Sequence, residues 1–113
     1  MMVRPNFSFD ELKCRRTGLL VRNEEALDAL QALRDLLGVP LHVVSAYRSP
    51  AHNAAVGGAP ASLHLQGRAF DLRWPDIPPL EFLSAAHVAG FKGLGVYRNF
   101  VHLDTGEPRF WTD

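Results

Sequence analysis

Ser62-Leu-His64-Leu-Gln-Gly67-Arg-Ala69-Phe-Asp71 and, further on, Phe100-Val-His102-Leu-Asp104 place two imidazoles and two carboxylates in segments that otherwise read as apolar strands. Ionisable groups inside strands are costly unless something pairs with them, and a divalent cation is the simplest partner for this set. Two histidines and one aspartate leave a tetrahedral zinc with a fourth position for water, the arrangement of catalytic rather than structural zinc. Spacing alone makes a metal site no better than an even proposition, because short motifs recur by chance.

Strand alternation turns the pattern into geometry. Successive side chains point to opposite faces, so Phe70 and Leu72 face one way and Asp71 the other. Likewise Val101 and Leu103 share one face, and His102 and Asp104 share the opposite one. Both carboxylates and one imidazole are expected to project into a common cleft, with apolar neighbours packed behind. His64 lies in the loop or turn feeding the first of these strands. Gly67 and Ala69 are expected to keep bulk out of the space between His64 and Asp71.

Around these strands the chain punctuates itself clearly. Ser8-Phe-Asp-Glu11 fits a capping box, predicting a short helical turn over 8–13. Asn23 can cap a second helix, with Glu24 and Glu25 in its first turn and Leu27, Leu30, Leu33 and Leu37 forming an inward stripe. Gly38 and Pro40 end it. Residues 41–46 read as a strand, 50–56 as a short helix opened by proline, and 57–61 as a loop. A strand over 69–73 and a helix over 78–89 follow, the latter with Leu80, Leu83, Ala86 and Phe82 as inward candidates. Residues 93–97 and 100–104 form an antiparallel hairpin about Arg98-Asn99. Helices gather early and strands mainly later, which predicts an α+β domain with helices packed on a mainly antiparallel sheet.

With 113 residues the chain is long enough for one core, so residues 1–113 are expected to form a single domain. Twelve basic residues balance twelve acidic ones, so no global field recruits nucleic acid or an anionic membrane. The local cluster Lys13-Cys14-Arg15-Arg16 reads as a solvated turn. Cys14 is the single cysteine, which excludes an internal disulfide and a thiolate-based metal site. The stretch from Met1 to Ser8 lacks the apolar run of a signal peptide, and no window approaches the ~18 apolar residues of a membrane span. The chain is thus expected to be made in the cytoplasm, without membrane insertion, and to be a monomer.

Ser62-x-His64-x-x-Gly67-x-Ala69-x-Asp71 resembles the signature of the zinc D-Ala-D-Ala metallopeptidases, whose D,D- and L,D-peptidases cut bacterial cell-wall peptides. Ser45-Ala-Tyr-Arg48-Ser-Pro-x-His-Asn53, Gly57-Gly58, Gly93-x-Gly95-x-Tyr97 and Phe100-Val-His102-x-Asp104 are similar to the small single-domain branch common in phages and bacteria. The opening Phe7-Ser-x-x-Glu11-x-x-Cys14 is similar as well, so nearly the whole chain is covered. The resemblance implies a Hedgehog/D,D-peptidase-like fold and a Zn2+ ion held by His64, Asp71 and His102. It implies that Arg48 contacts the substrate or the developing oxyanion, and that Ser62 lies beside the first ligand as a substrate contact. The implied substrate is a stem peptide or cross-link of peptidoglycan. Lacking a signal peptide fits an endolysin that reaches the wall through a holin pore, or a module carried on a virion.

One part of the family pattern is missing. Many members place an acidic base, or a second histidine, just before the last ligand; here those positions are Asn99 and Phe100. Asp104 is then the expected general base, with Glu107 in reserve; Asp104 as an orienting partner of His102, or as a fourth ligand, stays open. The alternative function is a non-catalytic peptidoglycan-binding module that keeps the zinc fold without a working base. A metal that merely staples an oligomer is a third. His42 and His87 sit among apolar residues and read as packed or rim side chains, and His52 as a loop hydrogen-bonding residue. Trp74, Tyr97, Phe110 and Trp111 suit either a substrate groove or the core, and Arg109 is at most a rim contact.

Overall fold

Ser8 accepts from the Glu11 amide while the Glu11 carboxylate accepts from the Ser8 amide, so the capping box forms and starts α1 (Phe9–Leu12). The computed structural model describes residues 1–113. Before α1 lies a two-stranded ribbon that the sequence did not announce, β1 (Met2–Arg4) and β2 (Phe7–Ser8). Its strands are too short to show a period. Asn23 caps α2 (Glu24–Leu37) through its side chain and Gly38 ends it in the left-handed conformation. Then come β3 (Val43–Ser45), α3 (Pro50–Ala55), a 3-10 turn over Leu63–Gln66, β4 (Ala69–Leu72) and α4 (Pro79–Ala89). Three strands close the chain: β5 (Gly93–Val96), β6 (Val101–Asp104) and β7 (Arg109–Thr112).

The main sheet runs β3-β4-β6-β5-β7, antiparallel throughout except for the parallel pair of β5 and β7. The expected α+β architecture, with helices on a mainly antiparallel sheet, is therefore the one observed. Strand β7 is an addition, which its Arg-Phe-Trp-Thr stretch does not announce.

One face of the sheet meets the helices. Phe70, Leu72, Val101 and Leu103 share a core with Leu27, Leu30 and Leu33 of α2 and with Phe82, Ala86 and Phe91. Each fully buried side chain of this kind contributes about 2 kcal/mol. Leu80 departs from expectation, being 77% exposed. Helical geometry explains it: Phe82 and Ala86 share one face four residues apart, and a residue two positions before Phe82 lands on the opposite side. None of the helices is long and apolar enough to cross a membrane.

Gly67 has a structural duty different from the one expected. It ends the 3-10 turn with φ +69, and a Cβ there would overlap the Val21 carbonyl. It keeps bulk away from the neighbouring chain rather than from the His64–Asp71 gap. Gly38 has a similar φ of +67 but open space around its missing Cβ. Gly38→Ala should therefore cost about 1 kcal/mol of backbone strain, and Gly67→Ala clearly more, about 3 kcal/mol. Urea unfolding of the two variants checks the difference; equal losses would show that the Val21 segment simply moves aside.

Candidate metal centre

The sheet face turned away from the helices carries the chemistry. Register puts Asp71 opposite His102 across β4 and β6, and His102 opposite Gly95 across β6 and β5, with Trp111 of β7 opposite Gly95 in turn. A second row, one step along, reads Ala69, Asp104, Gly93 and Arg109. Alternation thus does what the sequence predicted for β4 and β6, placing Asp71, His102 and Asp104 on one side and their apolar neighbours on the other.

His64 arrives from outside the sheet. Ser62 caps the 3-10 turn by accepting from the His64 amide at 3.2 Å. The imidazole Nδ1 lies 2.6 Å from the Ala46 carbonyl, a partner that only a protonated nitrogen can satisfy. Nε2 is consequently an acceptor, buried, and without an aligned hydrogen-bond partner. It stands 3.2 Å from Asp71 Oδ1, close but not directed along a hydrogen bond. Asp71 Oδ1 is also 3.0 Å from His102 Nδ1.

His64, Asp71 and His102 therefore form a cluster that could hold a metal ion, with ligand atoms all within 4.8 Å of one another. Tetrahedral ligands at roughly 2.0–2.1 Å from a zinc would stand about 3.3 Å apart. The observed 3.0 and 3.2 Å at Asp71 Oδ1 fall just short of that spacing. An orphaned acceptor beside a carboxylate is what such a donor set looks like, and the residues fit the ion.

Every ligand is braced from behind. Arg48 Nη2 donates to Asp71 Oδ2 at 3.0 Å, while its Nε donates to Ser45 Oγ and its Nη1 to Asn53 Oδ1. Burial alone would raise the Asp71 carboxyl, but the hydrogen bond from His102 and the close imidazoles of His102 and His64 outweigh it and hold the group well below the ordinary aspartate range. Burial likewise opposes protonation of His102, yet hydrogen bonds to Asp104 and Asp71 leave its pKa raised.

Asp104 does share the face of His102, but it meets the other ring nitrogen: Oδ2 is 2.7 Å from Nε2, whereas Nδ1 faces Asp71. The imidazole stands between Asp104 and the ligand cluster. Both carboxylate oxygens are engaged, Oδ1 by the Gly106 amide and Arg109 Nη1 and Oδ2 by Arg109 Nη2. Burial pushes this carboxyl up, and the bonds from His102, Arg109 and Gly106 more than reverse it, to about 2. A carboxylate so held is a weaker proton acceptor than a free one. Glu107 is exposed and outside the cleft wall; only its carbonyl takes part, accepting from Arg109.

A cleft of about 420 Å³ opens over the cluster, walled by the 57–63 loop on one side and by Tyr97, Phe100 and Trp111 on the other. Tyr97 and Phe100 stack at 4.4 Å, and Trp111 Nε1 donates to the Tyr97 hydroxyl. Trp74 instead packs on Phe82 of the core, and Phe110 is exposed. Arg109 and Trp111 were undervalued in the sequence. The available signal was Gly93-x-Gly95, because glycines inside a strand mark a close approach by something else.

"Peptidoglycan L,D-endopeptidase MepK" of Escherichia coli strain K12 is 37% identical over 93 residues, covering 74% of this chain and 51% of that protein. "Probable peptidoglycan L,D-endopeptidase MepK" of Haemophilus influenzae is 34% identical over 89 residues, covering 73% of this chain and 48% of that protein. The chain spans about half the length of the curated relatives it matches. Residues 5–104 match the family described as Peptidase M15, a stretch that takes in every ligand candidate, and the chain belongs to that family.

Proposed function

We propose that this chain is a zinc peptidase that hydrolyses peptide bonds in peptidoglycan. The observation that carries it is the buried, unpartnered Nε2 of His64, aimed with Asp71 Oδ1 and His102 Nδ1 at one small volume on the floor of an open cleft. Two nitrogens and one carboxylate oxygen suit zinc, and three protein ligands leave the coordination position that hydrolysis needs. The two relatives named as peptidoglycan L,D-endopeptidases make an L,D-type bond the first expectation.

When bound, zinc supplies a Lewis acid and lowers the pKa of a water from ~15.7 towards ~7. The chain's own residues do the positioning. Ala46 holds the His64 tautomer, and Arg48 holds Asp71 by its outer oxygen. Arg48 uses one N–H at each of its three nitrogens on protein groups, which leaves two of its five N–H donors without a protein partner in a side chain that lines the cleft. Those donors suit the negative oxygen that develops on the scissile carbonyl. Ser62, beside the first ligand, borders the same cleft as a substrate contact, and the aromatic wall offers flat surface to an extended peptide. Asp104 is assigned to the orientation of His102 rather than to proton transfer.

A second function draws on one observation: the only carboxylates lining the cleft, Asp71 and Asp104, are both engaged. That favours a module which binds peptidoglycan without cutting it. Digestion of purified peptidoglycan, followed by mass spectrometry of the released muropeptides, separates the two. The peptidase predicts new peptide ends that disappear with a chelator and return with added zinc, and the product masses name the bond. Retention on the sacculus with no new ends would establish the binding module instead.

A further inference from the structure

We propose that Arg109 is a positioning residue for the metal centre: it clamps Asp104 so that the carboxylate keeps His102 turned with Nδ1 towards Asp71 and His64. The inference rests on the zinc site proposed above and adds to it a residue from β7, outside the ligand set.

An imidazole has two nitrogens on nearly opposite edges, and only one can face a cation. A hydrogen-bond acceptor at the far nitrogen fixes the proton there and leaves the near lone pair free. Asp104 is that acceptor, 2.7 Å from Nε2. It is itself fully buried, and a buried carboxylate stays ionised and in place only if charge-assisted donors hold it. Arg109 provides a two-pronged grip, Nη1 to Oδ1 at 3.0 Å and Nη2 to Oδ2 at 2.6 Å. The Gly106 amide adds a third donor at 2.9 Å.

Room for this grip is built into β5. Register places Arg109 opposite Gly93 and Trp111 opposite Gly95. A Cβ on Gly93 would overlap Asp104 Oδ1 and crowd Arg109 Nη1, and one on Gly95 would overlap the Trp111 ring. Both side chains of β7 can therefore fold back across β5 onto the residues of β6. Trp111 ends 5.3 Å from the His102 ring, and the Arg109 guanidinium lies 5.1 Å over the indole. With its fork already closed on Asp104, Arg109 is poorly placed to clamp a substrate carboxylate the same way.

The test uses zinc affinity of the full chain, measured by chelator competition, for wild type, Arg109→Met, Arg109→Lys, Asp104→Asn and the double variant Asp104→Asn/Arg109→Met. Arg109→Met should weaken zinc binding about tenfold, Asp104→Asn at least as much, and Arg109→Lys less. On the Asp104→Asn background, Arg109→Met should add less than about twofold, because the two act through one contact. Nitrogen-15 spectra of zinc-loaded wild type should show His102 bound through Nδ1 with its proton on Nε2, a result independent of how any variant folds. Ligation through Nε2 would overturn the proposal. So would unchanged zinc affinity in Arg109→Met, an undiminished effect on the Asp104→Asn background, or a raised KM with zinc affinity intact, which would mark a substrate contact. A wild-type chain that binds no zinc at all would remove the metal site itself, and this inference with it.

Discussion

Replacing Asp71 with alanine is expected to abolish zinc retention and peptidoglycan cleavage together. The carboxylate is the hub of the cluster, with Oδ1 3.0 Å from His102 Nδ1 and 3.2 Å from His64 Nε2, and Oδ2 held by Arg48. Removing it takes away the only negative ligand and leaves the Arg48 cation unopposed beside the same volume. A unit-charge interaction at about 4 Å is worth about 4 kcal/mol at an effective dielectric near 20, which corresponds to about a thousandfold in affinity. Loss of the attraction and gain of a repulsion act in the same direction, so the drop should be at least that large. The fold should survive, because Phe70 and Leu72 on either side of Asp71 pack into the core from the other face of β4. Zinc content after dialysis, circular dichroism and muropeptide release measure the three parts separately. A folded variant that keeps one zinc per chain and cleaves at the wild-type rate would remove Asp71 from the site.

Much of this arrangement is legible in the sequence. Two-residue alternation puts His102 and Asp104 on one face of β6 and sets Asp71 against Phe70 and Leu72 on β4, and burial of the apolar side of each strand turns all three the same way. Gly38 and the Asn23 cap bound α2 by local chemistry alone. What stayed hidden depends on contacts between distant segments. Which nitrogen of His102 faces Asp104 is set by the path of β6 relative to β4, and no spacing rule reports it. The duty of Gly67 depends on Val21, far away in the chain. The parallel docking of β7 on β5 is a long-range pairing, and it alone turns Arg109 from a rim residue into a partner of Asp104. Leu80 departs for a local reason: two positions before Phe82, its helical angle turns it outward although it is apolar.

Arg48→Ala carries the second large effect, and its division between binding and turnover decides what the arginine does. The side chain ties three elements together: Ser45 at the end of β3 at 3.1 Å, Asn53 of α3 at 3.2 Å and Asp71 at 3.0 Å. Asn53 passes the restraint on to the 57–63 wall by donating to the Ala59 carbonyl. Loss of the grip on Asp71 should weaken zinc binding about tenfold, as removal of a group that orients a ligand typically does. If that were all, excess zinc would restore full turnover. The two N–H groups left without a protein partner predict otherwise: kcat at saturating zinc should stay down by about a hundredfold, the usual cost of deleting an oxyanion donor. Arg48→Lys should recover little, since one ammonium cannot reach Ser45, Asn53 and Asp71 at once while keeping donors for the substrate. Zinc titration beside kcat at saturating zinc separates the two contributions. Full recovery of kcat would confine Arg48 to holding Asp71, and the developing oxyanion would then need another donor in the cleft, for which the Tyr97 hydroxyl, already accepting from Trp111 and so left with its own proton to give, is the nearest in chemistry.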